Sequence, residues 1–421
     1  MKVFKKENTR VPIFSWCENP DEGAIEQAVN LSKLPFLYKH VALMPDTHKG
    51  YGMPIGGVIA CENVVIPNAV GVDIGCGMAA VKTSLTDIST ERLKEIMGLI
   101  RKKIPVGFNK HSKNQDEVLM PQIIDELPVV FDEYGNAQKQ LGTLGGGNHF
   151  IEIQKGSDGY IWFMVHSGSR NLGYKVAKHY NELAQDLCKK WHSNIPEYKG
   201  EDGLAFLPVD SEEGRAYLRE MNFCLDFAKA NRDLMVDRIK EAFKLTLCPE
   251  CKGNGGRKGE KCGYCAGRGE FEGCDEEINN IQFTDSINIH HNYAALENHF
   301  GKNLWIHRKG ATSAKEGQPG IIPGSQGTSS YIVHGKGNRD SFMSCSHGAG
   351  RKMGRKQAQR ELNLEDEQKR LNDKGVIHSI RNAKDLDEAS GAYKDIDIVM
   401  EEQKDLVDIV VKLEPLAVIK G

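Results

Sequence analysis

Five side chains in this sequence could together bind metal ions. They are one carboxylate, one thiol and three imidazoles: Asp73, Cys76, His149, His166 and His291. A single tetrahedral catalytic metal commonly takes three protein ligands and a water, so five ligands are too many for one ion. They suit two neighbouring ions with the Cys76 thiolate between them. The mixed oxygen, nitrogen and sulfur donors favour Zn, Mn, Fe or Co over Mg or Ca.

Short strands and glycine-rich turns must position these residues. From Val41 to Val81 apolar runs alternate with turns such as DTHKGYGMPIGG, and the pattern predicts strands separated by loops. The stretches TLGGGNHFIEI and YIWFMVHSG predict neighbouring strands, and NIHHNYA predicts a strand followed by a polar turn. Taken singly, each candidate ligand is more often an ordinary core or surface residue. Their shared position at strand ends favours a common site.

A sixth residue, His347, lies in the stretch SCSHGAGR, where small neighbours would let a bulky group approach the imidazole. The pattern predicts that a basic helix follows, with the cationic residues Arg351, Lys352, Arg355 and Lys356. Histidine can act as a covalent nucleophile, and a helix start beside arginine favours an anion. The alternative is a capped helix with a solvated basic face.

Two further glycine-rich stretches, GTLGGGN and PGSQGTSS, could hold phosphate oxygens with consecutive backbone N–H groups. Tight turns have the same composition. Neither stretch is a P-loop, because GxxxxGK[ST] does not occur in the sequence.

A cysteine-rich segment interrupts the chain at residues 247–276. It contains two CxxC pairs separated by ten residues: Cys248, Cys251, Cys262 and Cys265. This spacing predicts a tetrahedral zinc site, and the CxxCxGxG repetition resembles half of the zinc domain of DnaJ chaperones. Cys274 lies outside the pairs. We predict an inserted zinc-binding module over 247–276, which either extends a binding surface or acts as a lid, and a single domain formed by 1–246 and 277–421.

Composition excludes several classes of protein. The chain has 421 residues, 39% of them hydrophobic and 27% charged, which is typical of a globular protein. A formal charge of −3 argues against nucleic-acid binding by bulk charge alone. No long apolar run predicts a membrane span or signal peptide, so we expect a cytoplasmic protein without a membrane partner. The eleven cysteines then indicate metal or thiol chemistry rather than disulfides.

Apolar periodicity predicts three helices and a final strand. TDISTERLKEIMGLIRKKIP predicts a helix with Asp87 or Ser89 as N-cap, and residues 171–192 and 211–246 predict two more. DIVVKLEPLAVIKG alternates like a strand near the end of the sequence.

Taken together and in order, these segments resemble the RtcB family of RNA ligases. The resemblance rests on MPDTHKGYGMPIGGV, GVDIGCGM, LGTLGGGNHFIE, WFMVHSGSR, HHNYA, RKGATSA, GIIPGSQGTSSYIV, SCSHGAGR and AVIKG. It extends from about Val41 to Gly421 and is interrupted by the cysteine-rich segment. The fold that it implies is α+β, with a mixed β-sheet sandwich core flanked by helices and a small zinc-binding insertion.

The resemblance implies a GTP- and manganese-dependent RNA ligase acting in tRNA splicing or RNA repair. Such an enzyme joins an RNA 3′-phosphate or 2′,3′-cyclic phosphate to a 5′-hydroxyl. It implies that the five residues above bind two Mn²⁺ ions with Cys76 bridging, and that His347 becomes guanylylated before GMP passes to the RNA as an activated RNA-ppG end. It places six residues at positions that contact GTP: Asn148, Glu152, Ser325, Gly348, Tyr393 and Lys420.

RNA and GTP are the expected partners, and an archease-like activator is a third whose need the sequence leaves open. Two other functions also fit the residues. A binuclear metal-dependent phosphoesterase could use the same ligands to activate water without His347. An RNA-binding module could instead work through the zinc insertion, with an idle active site.

Overall fold

Two large β-sheets carry the fold, and helices cover their outer faces. The computed structural model describes residues 1–7, 9–123, 126–195, 202–257, 260–272, 278 and 280–421. Cys274 and the rest of 273–276 in the predicted module lie outside the described residues. The predicted α+β class, with several sheets flanked by helices, is confirmed.

The strands are numbered β1 to β21 along the chain. They are β1 (Lys2–Phe4), β2 (Ile13–Ser15), β3 (Leu37–His48), β4 (Ile55–Cys61), β5 (Val64–Val65), β6 (Gly77–Thr83), β7 (Phe150–Gly156), β8 (Ile161–Ser167), β9 (Leu207–Pro208), β10 (Leu245–Leu247), β11 (Gly256–Arg257), β12 (Glu260–Lys261), β13 (Glu270–Glu272), β14 (Phe283–His290), β15 (Asn292–His299), β16 (Lys302–Lys309), β17 (Ala311–Ser313), β18 (Pro319–Ile322), β19 (Ser330–Gly335), β20 (Ser344–Ser346) and β21 (Val407–Lys420).

The α-helices of the described residues are numbered in the same way. They are α1 (Glu22–Ser32), α2 (Pro67–Val70), α3 (Thr90–Lys103), α4 (Pro128–Gln140), α5 (Arg170–Lys190), α6 (Glu212–Lys244), α7 (Arg355–Glu361), α8 (Leu364–Asp373) and α9 (Ile396–Glu402). Short 3₁₀ helices cover Glu117–Leu119, Ala383–Glu388 and Ser390–Ala392.

The three helices predicted from periodicity are present as α3, α5 and α6. Ser89 is the N-cap of α3, since its hydroxyl accepts a hydrogen bond from the backbone N–H of Arg92 at 3.2 Å. The helix ends at Lys103, two residues before Pro105, as the proline predicts. The predicted final strand is β21.

Strand order in both sheets brings distant parts of the sequence together. One sheet has six strands in the order β1-β2-β3-β4-β16-β15, antiparallel except for the pair β2–β3. The other has seven antiparallel strands in the order β14-β6-β8-β7-β21-β19-β18. The last strand along the sequence, β21, therefore lies inside its sheet, between β7 and β19.

Three apolar clusters hold these layers. One packs β3, β4 and β16 of the six-stranded sheet against β18, β19 and β21 of the other sheet. A second packs the six-stranded sheet against α1, α5 and α6, and a third packs the seven-stranded sheet against α3 and α6. Burying one face of each layer against another is what produces a sandwich flanked by helices.

Three local predictions were wrong. The polar DTH of the predicted turn belongs to β3, because the Thr47 hydroxyl donates to the backbone oxygen of Ile55 at 2.9 Å and Asp46 is buried. No helix directly follows His347. Residues 351–354 stay irregular, with the backbone N–H of Lys352 donating to Ala392 O at 2.9 Å, and α7 begins at Arg355.

The third wrong prediction concerns HHNYA, where no polar turn forms. His291 is the single residue between β14 of one large sheet and β15 of the other. Its backbone N–H donates to Cys76 O at 2.9 Å, which keeps the chain extended as it crosses between the sheets.

Candidate functional site

The five predicted metal-binding residues converge where the two large sheets meet. Asp73 and Cys76 precede β6, His149 precedes β7, His166 lies on β8, and His291 joins β14 to β15. Their ligand atoms form two groups of three, and within each group the atoms lie within 4.8 Å of one another. One group is Cys76, His166 and His291, and the other is Asp73, Cys76 and His149. Because Cys76 belongs to both, its sulfur lies where it can bridge two ions.

The separations between neighbouring donor atoms fit metal coordination. Cys76 Sγ lies 3.4 Å from His149 Nε2 and 3.3 Å from His166 Nε2. His166 Nε2 lies 3.4 Å from His291 Nε2, and His149 Nε2 lies 3.1 Å from Asp73 Oδ2. Nitrogen, oxygen and sulfur ligands ~2.0–2.3 Å from a tetrahedral ion stand ~3.3–3.8 Å apart, which includes the first three separations, and the fourth is slightly shorter. The donor set therefore fits bound metal.

Hydrogen bonds behind the cluster fix the orientation of two imidazoles. His149 Nδ1–H donates to Leu144 O at 3.0 Å, and His166 Nδ1–H donates to Asn148 O at 3.1 Å. Each Nε2 lone pair then faces the cluster, as is typical of metal-binding histidines. The Nε2 of His291 also faces the cluster, and its buried Nδ1 has no hydrogen-bond partner among the described residues.

Burial keeps the ligands in a form suited to metals. It lowers the pKa of His166 and His291 well below the usual range, and the neighbouring imidazoles lower both further, so these rings are neutral. Burial opposes ionisation of Asp73, but its interactions with His149, Cys76 and Arg170 together outweigh burial, so its pKa is lowered. The pKa of the Cys76 thiol is raised by burial and then by Asp73. A bound cation would reverse that effect and stabilise the thiolate.

One fully buried guanidinium, Arg232 on α6, ties together the segments that carry the ligands. Its Nη1 donates to Gly75 O and to Ser167 O, both at 2.9 Å, and its Nε donates to Asn288 Oδ1 at 2.7 Å. Sequence reasoning missed this residue. The available signal was a charge on the apolar face of the predicted helix at 211–246.

His347 lies beside the cluster and is oriented by a buried carboxylate. Its ring centroid is 4.8 Å from that of His291. Its Nδ1 is 2.6 Å from Asp46 Oδ2, which also accepts from the backbone N–H of His347 at 3.1 Å. Asp46 is buried, whereas the His347 side chain retains 15% exposure. With Nδ1–H donating to Asp46, the Nε2 lone pair is free to act as a nucleophile. Sequence reasoning missed Asp46 because it placed the residue in a turn.

A cavity of about 360 Å³ opens beside His347 and the cluster. All six residues predicted to contact nucleotide line it: Asn148, Glu152, Ser325, Gly348, Tyr393 and Lys420. The side chain of Phe150, which sequence reasoning missed, lines it as well, with its ring centroid 5.6 Å from Lys420 Nζ.

Two charged side chains lie at one end of this cavity. Glu152 on β7 is paired with Val418 on β21, and Lys420 is paired with Phe150 two residues further along. Burial raises the pKa of Glu152 to about 8, although Lys420 and a 2.5 Å hydrogen bond from Gln154 Nε2 oppose the shift. Burial lowers the pKa of Lys420 despite nearby carboxylates. An ionised Glu152 can accept hydrogen bonds from a ligand and Lys420 can donate one, so together they can distinguish donors from acceptors on one edge of that ligand.

Tyr393 is held through Glu388, a buried carboxylate at 3% exposure that no sequence pattern indicated. The Tyr393 hydroxyl donates a short hydrogen bond to Glu388 Oε2. Glu388 also accepts from Arg351 Nη1 at 3.0 Å and from Arg355 Nε at 2.9 Å. The basic residues predicted to form a solvated helix face therefore include two that pair with a carboxylate in the cavity wall.

The remaining predicted site residues, the four cysteines of the zinc module, form a second cluster that shares no residue with the first. None of the described helices is both long and apolar enough to cross a membrane.

Comparison with known proteins identifies the class to which this fold and site belong. The family model described as tRNA-splicing ligase RtcB matches residues 27–133, 122–253 and 270–421. The chain therefore belongs to the RtcB family, and the predicted resemblance is confirmed. Residues 254–269, between the last two matched ranges, fall within the cysteine-rich segment.

Individual relatives agree along almost their whole length. The chain is 36% identical to the RNA-splicing ligase RtcB of Escherichia coli (strain K12), over 100% of this chain and 99% of the relative. It is 32% identical to the tRNA-splicing ligase RtcB of Methanococcus maripaludis, over 96% of this chain and 92% of the relative. The tRNA-splicing ligase RtcB of Thermococcus kodakarensis is 31% identical over 95% and 91%.

Proposed function

We propose that this protein is a GTP- and Mn²⁺-dependent RNA ligase. Its substrates would be RNA with a 3′-phosphate or 2′,3′-cyclic phosphate and RNA with a 5′-hydroxyl, in tRNA splicing or RNA repair. Family membership and the names of the relatives support the ligase class. The single observation that carries the chemistry is the position of His347, which lies 4.8 Å from His291 between ring centroids and lines the same cavity as Glu152 and Lys420.

The proposed metal ligands are those of the cluster, with Cys76 shared between two Mn²⁺ ions. Bound there, Mn²⁺ would supply charge neutralisation on phosphoryl oxygens and a lower pKa for a coordinated hydroxyl or water. Asn148 lines the cavity close to His149 and is the proposed contact for a nucleotide phosphate.

The first proposed step is guanylylation of His347. Its Nε2 attacks the α-phosphorus of GTP, a nitrogen–phosphorus bond forms, the bond from the α-phosphorus to the bridging oxygen breaks, and pyrophosphate leaves. Asp46 accepts a hydrogen bond from Nδ1–H, so it holds the attacking tautomer and stabilises the positive charge that the ring gains. Asp46 acts through His347 and is a positioning residue.

The second and third proposed steps move GMP and then release it. A 3′-phosphate is a poor electrophile because its leaving group would be oxide. An oxygen of the RNA 3′-phosphate attacks the histidine-bound phosphorus, which returns neutral His347 and leaves an RNA-ppG end. The 5′-hydroxyl oxygen then attacks the RNA phosphorus and expels GMP, giving the 3′–5′ phosphodiester. A cyclic phosphate end is opened to the 3′-phosphate before these steps.

Recognition of guanine is assigned to the acid and base in the cavity wall. A Glu152 carboxylate can accept from guanine N1–H and from its exocyclic amino group, and Lys420 can donate to guanine O6. Adenine offers an acceptor and a donor in the opposite places, so the same pair would leave it unsatisfied. Ser325, Gly348 and Tyr393 are the remaining proposed nucleotide contacts.

Incubation with Mn²⁺ and α-labelled GTP followed by denaturing electrophoresis tests the proposal. We expect acid-labile label on the wild-type chain and none on His347→Ala. Absence of label from a chain with bound metals, together with cleavage of a cyclic phosphate RNA, would support the phosphoesterase instead. A requirement for an archease-like activator and a cytoplasmic location stay predictions, as does the division into one catalytic domain with an inserted module.

A further inference from the structure

The four cysteines of the module have the spacing of a tetrahedral metal site. Cys248 Sγ lies 3.8 Å from Cys262 Sγ, and Cys251 Sγ lies 3.6 Å from Cys265 Sγ. All four sulfurs lie within 4.8 Å of one another. A tetrahedron with metal–sulfur bonds of ~2.3 Å has edges of ~3.8 Å, whereas a disulfide bond is only ~2.05 Å long. The separations fit four thiolates around one ion.

Each CxxC pair also ends in the same backbone turn. The residue after the second cysteine has positive φ in both turns, 48° at Lys252 and 51° at Ala266, and a glycine with positive φ follows each. Three residues after Cys251 and Cys265, a backbone N–H donates back to that cysteine's carbonyl oxygen at 3.0 Å. Lysine and alanine rarely adopt this conformation, and two matched occurrences indicate that the turns are built for a common purpose.

The interior of the module has little else to hold it together. Its buried cluster consists of Cys248, Cys251 and Cys265, with only Cys262 and Phe271 packed against them among the described residues. A segment of this size cannot bury enough apolar surface to be stable alone, and a structural metal is a common remedy. The backbone N–H of Gly269 donates to Cys265 Sγ at 3.1 Å, as expected for a sulfur that carries negative charge.

We propose that Cys248, Cys251, Cys262 and Cys265 bind one Zn²⁺ ion in a structural site with no open position, separate from the catalytic metals. Four thiolates in a tetrahedron select zinc among the common divalent metals. Four protein ligands leave no place for water, so the ion takes no part in ligation.

The same site braces α3 against the module. Lys102 Nζ donates a short hydrogen bond to Gly253 O, in the first turn, and Lys103 Nζ lies 3.0 Å from Glu270 Oε1, on β13. At the other end of the helix, Arg92 Nη1 donates at 2.8 Å to Leu245 O, just before the module on the strand β10 that pairs with β13. These contacts hold α3 along its length.

The segment after α3 in turn supports the glycine turn before His149. Pro105 O accepts from the backbone N–H of Leu144 at 2.9 Å, and Gly107 N–H donates to Gly145 O at 2.8 Å. Gly145 has φ of 92°, and a Cβ there would lie 2.1 Å from Arg170 Nη1. Only glycine fits, so this turn tolerates little displacement. Zinc in the module thus stabilises the position of the turn that leads to the catalytic cluster.

Zinc content tests the site independently of ligation. In full-length protein carrying Cys76→Ala, which removes the sulfur shared by the catalytic ligands, we expect one zinc per chain after dialysis. Adding Cys248→Ser should abolish it, and adding Cys274→Ser, a matched change at the cysteine outside the pairs, should leave it unchanged. Equal zinc in all three variants would overturn the proposal.

Cobalt substitution in the Cys76→Ala chain, which keeps the four module cysteines and has no sulfur in the other cluster, guards against a variant that fails to fold. We expect the visible bands and the sulfur-to-cobalt charge transfer of a tetrathiolate site, and their absence would reject it. The bracing is tested by hydrogen exchange after selective removal of this zinc with Mn²⁺ retained. Faster exchange at residues 103–107 and 144–147 is expected, and unchanged exchange there would refute the brace. A chain without ligase activity would still give either result, so failure of the proposed function remains distinguishable.

Discussion

Replacing Asp46 with asparagine tests whether the buried carboxylate fixes the tautomer of His347, the proposed nucleophile. The change keeps the shape of the side chain and removes its charge. Asp46 contacts His347 at 2.6 Å and is not among the clustered metal ligands, so metal binding should persist. The expected defect lies in guanylylation.

The size of the effect depends on which amide atom replaces Oδ2. If the oxygen does, it still accepts from Nδ1–H and from the His347 backbone. Only charge assistance is then lost, about 1–1.5 kcal/mol as the difference between a charged and a neutral hydrogen bond, which slows the step about tenfold. If the nitrogen replaces it, Nδ1 must accept, Nε2 carries the proton, and the loss approaches the roughly 10⁴-fold seen for the wrong tautomer in a serine protease triad.

Single-turnover labelling with α-labelled GTP measures this step directly. The rate at saturating GTP should fall by at least about tenfold, while the GTP concentration for half-saturation and the bound Mn²⁺ should stay at wild-type values. Asp405→Asn is a suitable control, because Asp405 accepts a hydrogen bond from the Trp16 indole N–H and does not line the cavity.

A wild-type labelling rate for Asp46→Asn would refute the reasoning, since the hydrogen bond would then have no role in activating His347. Loss of bound Mn²⁺ would also contradict it, because the defect would lie in assembly of the site rather than in the tautomer.

Three further predictions concern other parts of the site. Cys76→Ala should lower the affinity for both Mn²⁺ ions, because the Cys76 sulfur is common to both ligand groups, whereas His166→Ala should lower the affinity for only one ion. Calorimetric titration measures both affinities, and two unchanged sites in Cys76→Ala would exclude bridging. Burial raises the pKa of Glu152 to about 8, and the proposed contacts with the guanine N–H groups need the ionised carboxylate. The affinity for GTP should therefore rise with pH, by at most about tenfold per pH unit, and level off above pH of about 8. Glu152→Gln should abolish that dependence in a binding assay, and a persistent slope would point to another group. Arg232→Met should lower the free energy of unfolding by roughly 2–5 kcal/mol in denaturant titration, because Gly75 O and Ser167 O lose their buried donor, and an unchanged value would mean that water replaces it.

Sequence patterns predicted the helices and strands whose signals lie within the element itself. The helices α3, α5 and α6 and the strand β21 follow from apolar spacing and end signals, which depend on neighbours along the chain. The DTH segment did not follow, because its polar residues are buried by contacts with residues far along the sequence. Asp46 meets His347 across 301 residues, and no local pattern encodes such a pair.

The candidate ligands were easier to predict from the sequence than the residues that hold them in position. Cys76, His149 and His166 carry metal-binding side chains at strand ends beside glycine-rich stretches, so residue type and position indicated a site before any geometry was known. Arg232 and Glu388 have roles that arise only from folding, one as a buried donor to two carbonyl groups and the other as the partner of Arg351 and Tyr393. Nothing in the residues next to Glu388 distinguishes it from an ordinary surface charge, and the only local signal for Arg232 was its position on the apolar face of the predicted helix.

The interior position of β21 has a consequence for synthesis of the chain. Removing this strand divides its sheet into a four-stranded part, β14-β6-β8-β7, and a two-stranded part, β19-β18. All five clustered ligands are translated by residue 291, and His347 follows, but Lys420 arrives only with the final strand. A nascent chain grows by about 5–20 residues per second and folds as segments emerge. The five ligands can therefore come together while the chain is still incomplete, whereas the cavity wall that contains Lys420 forms only after β21 has inserted between its two neighbours.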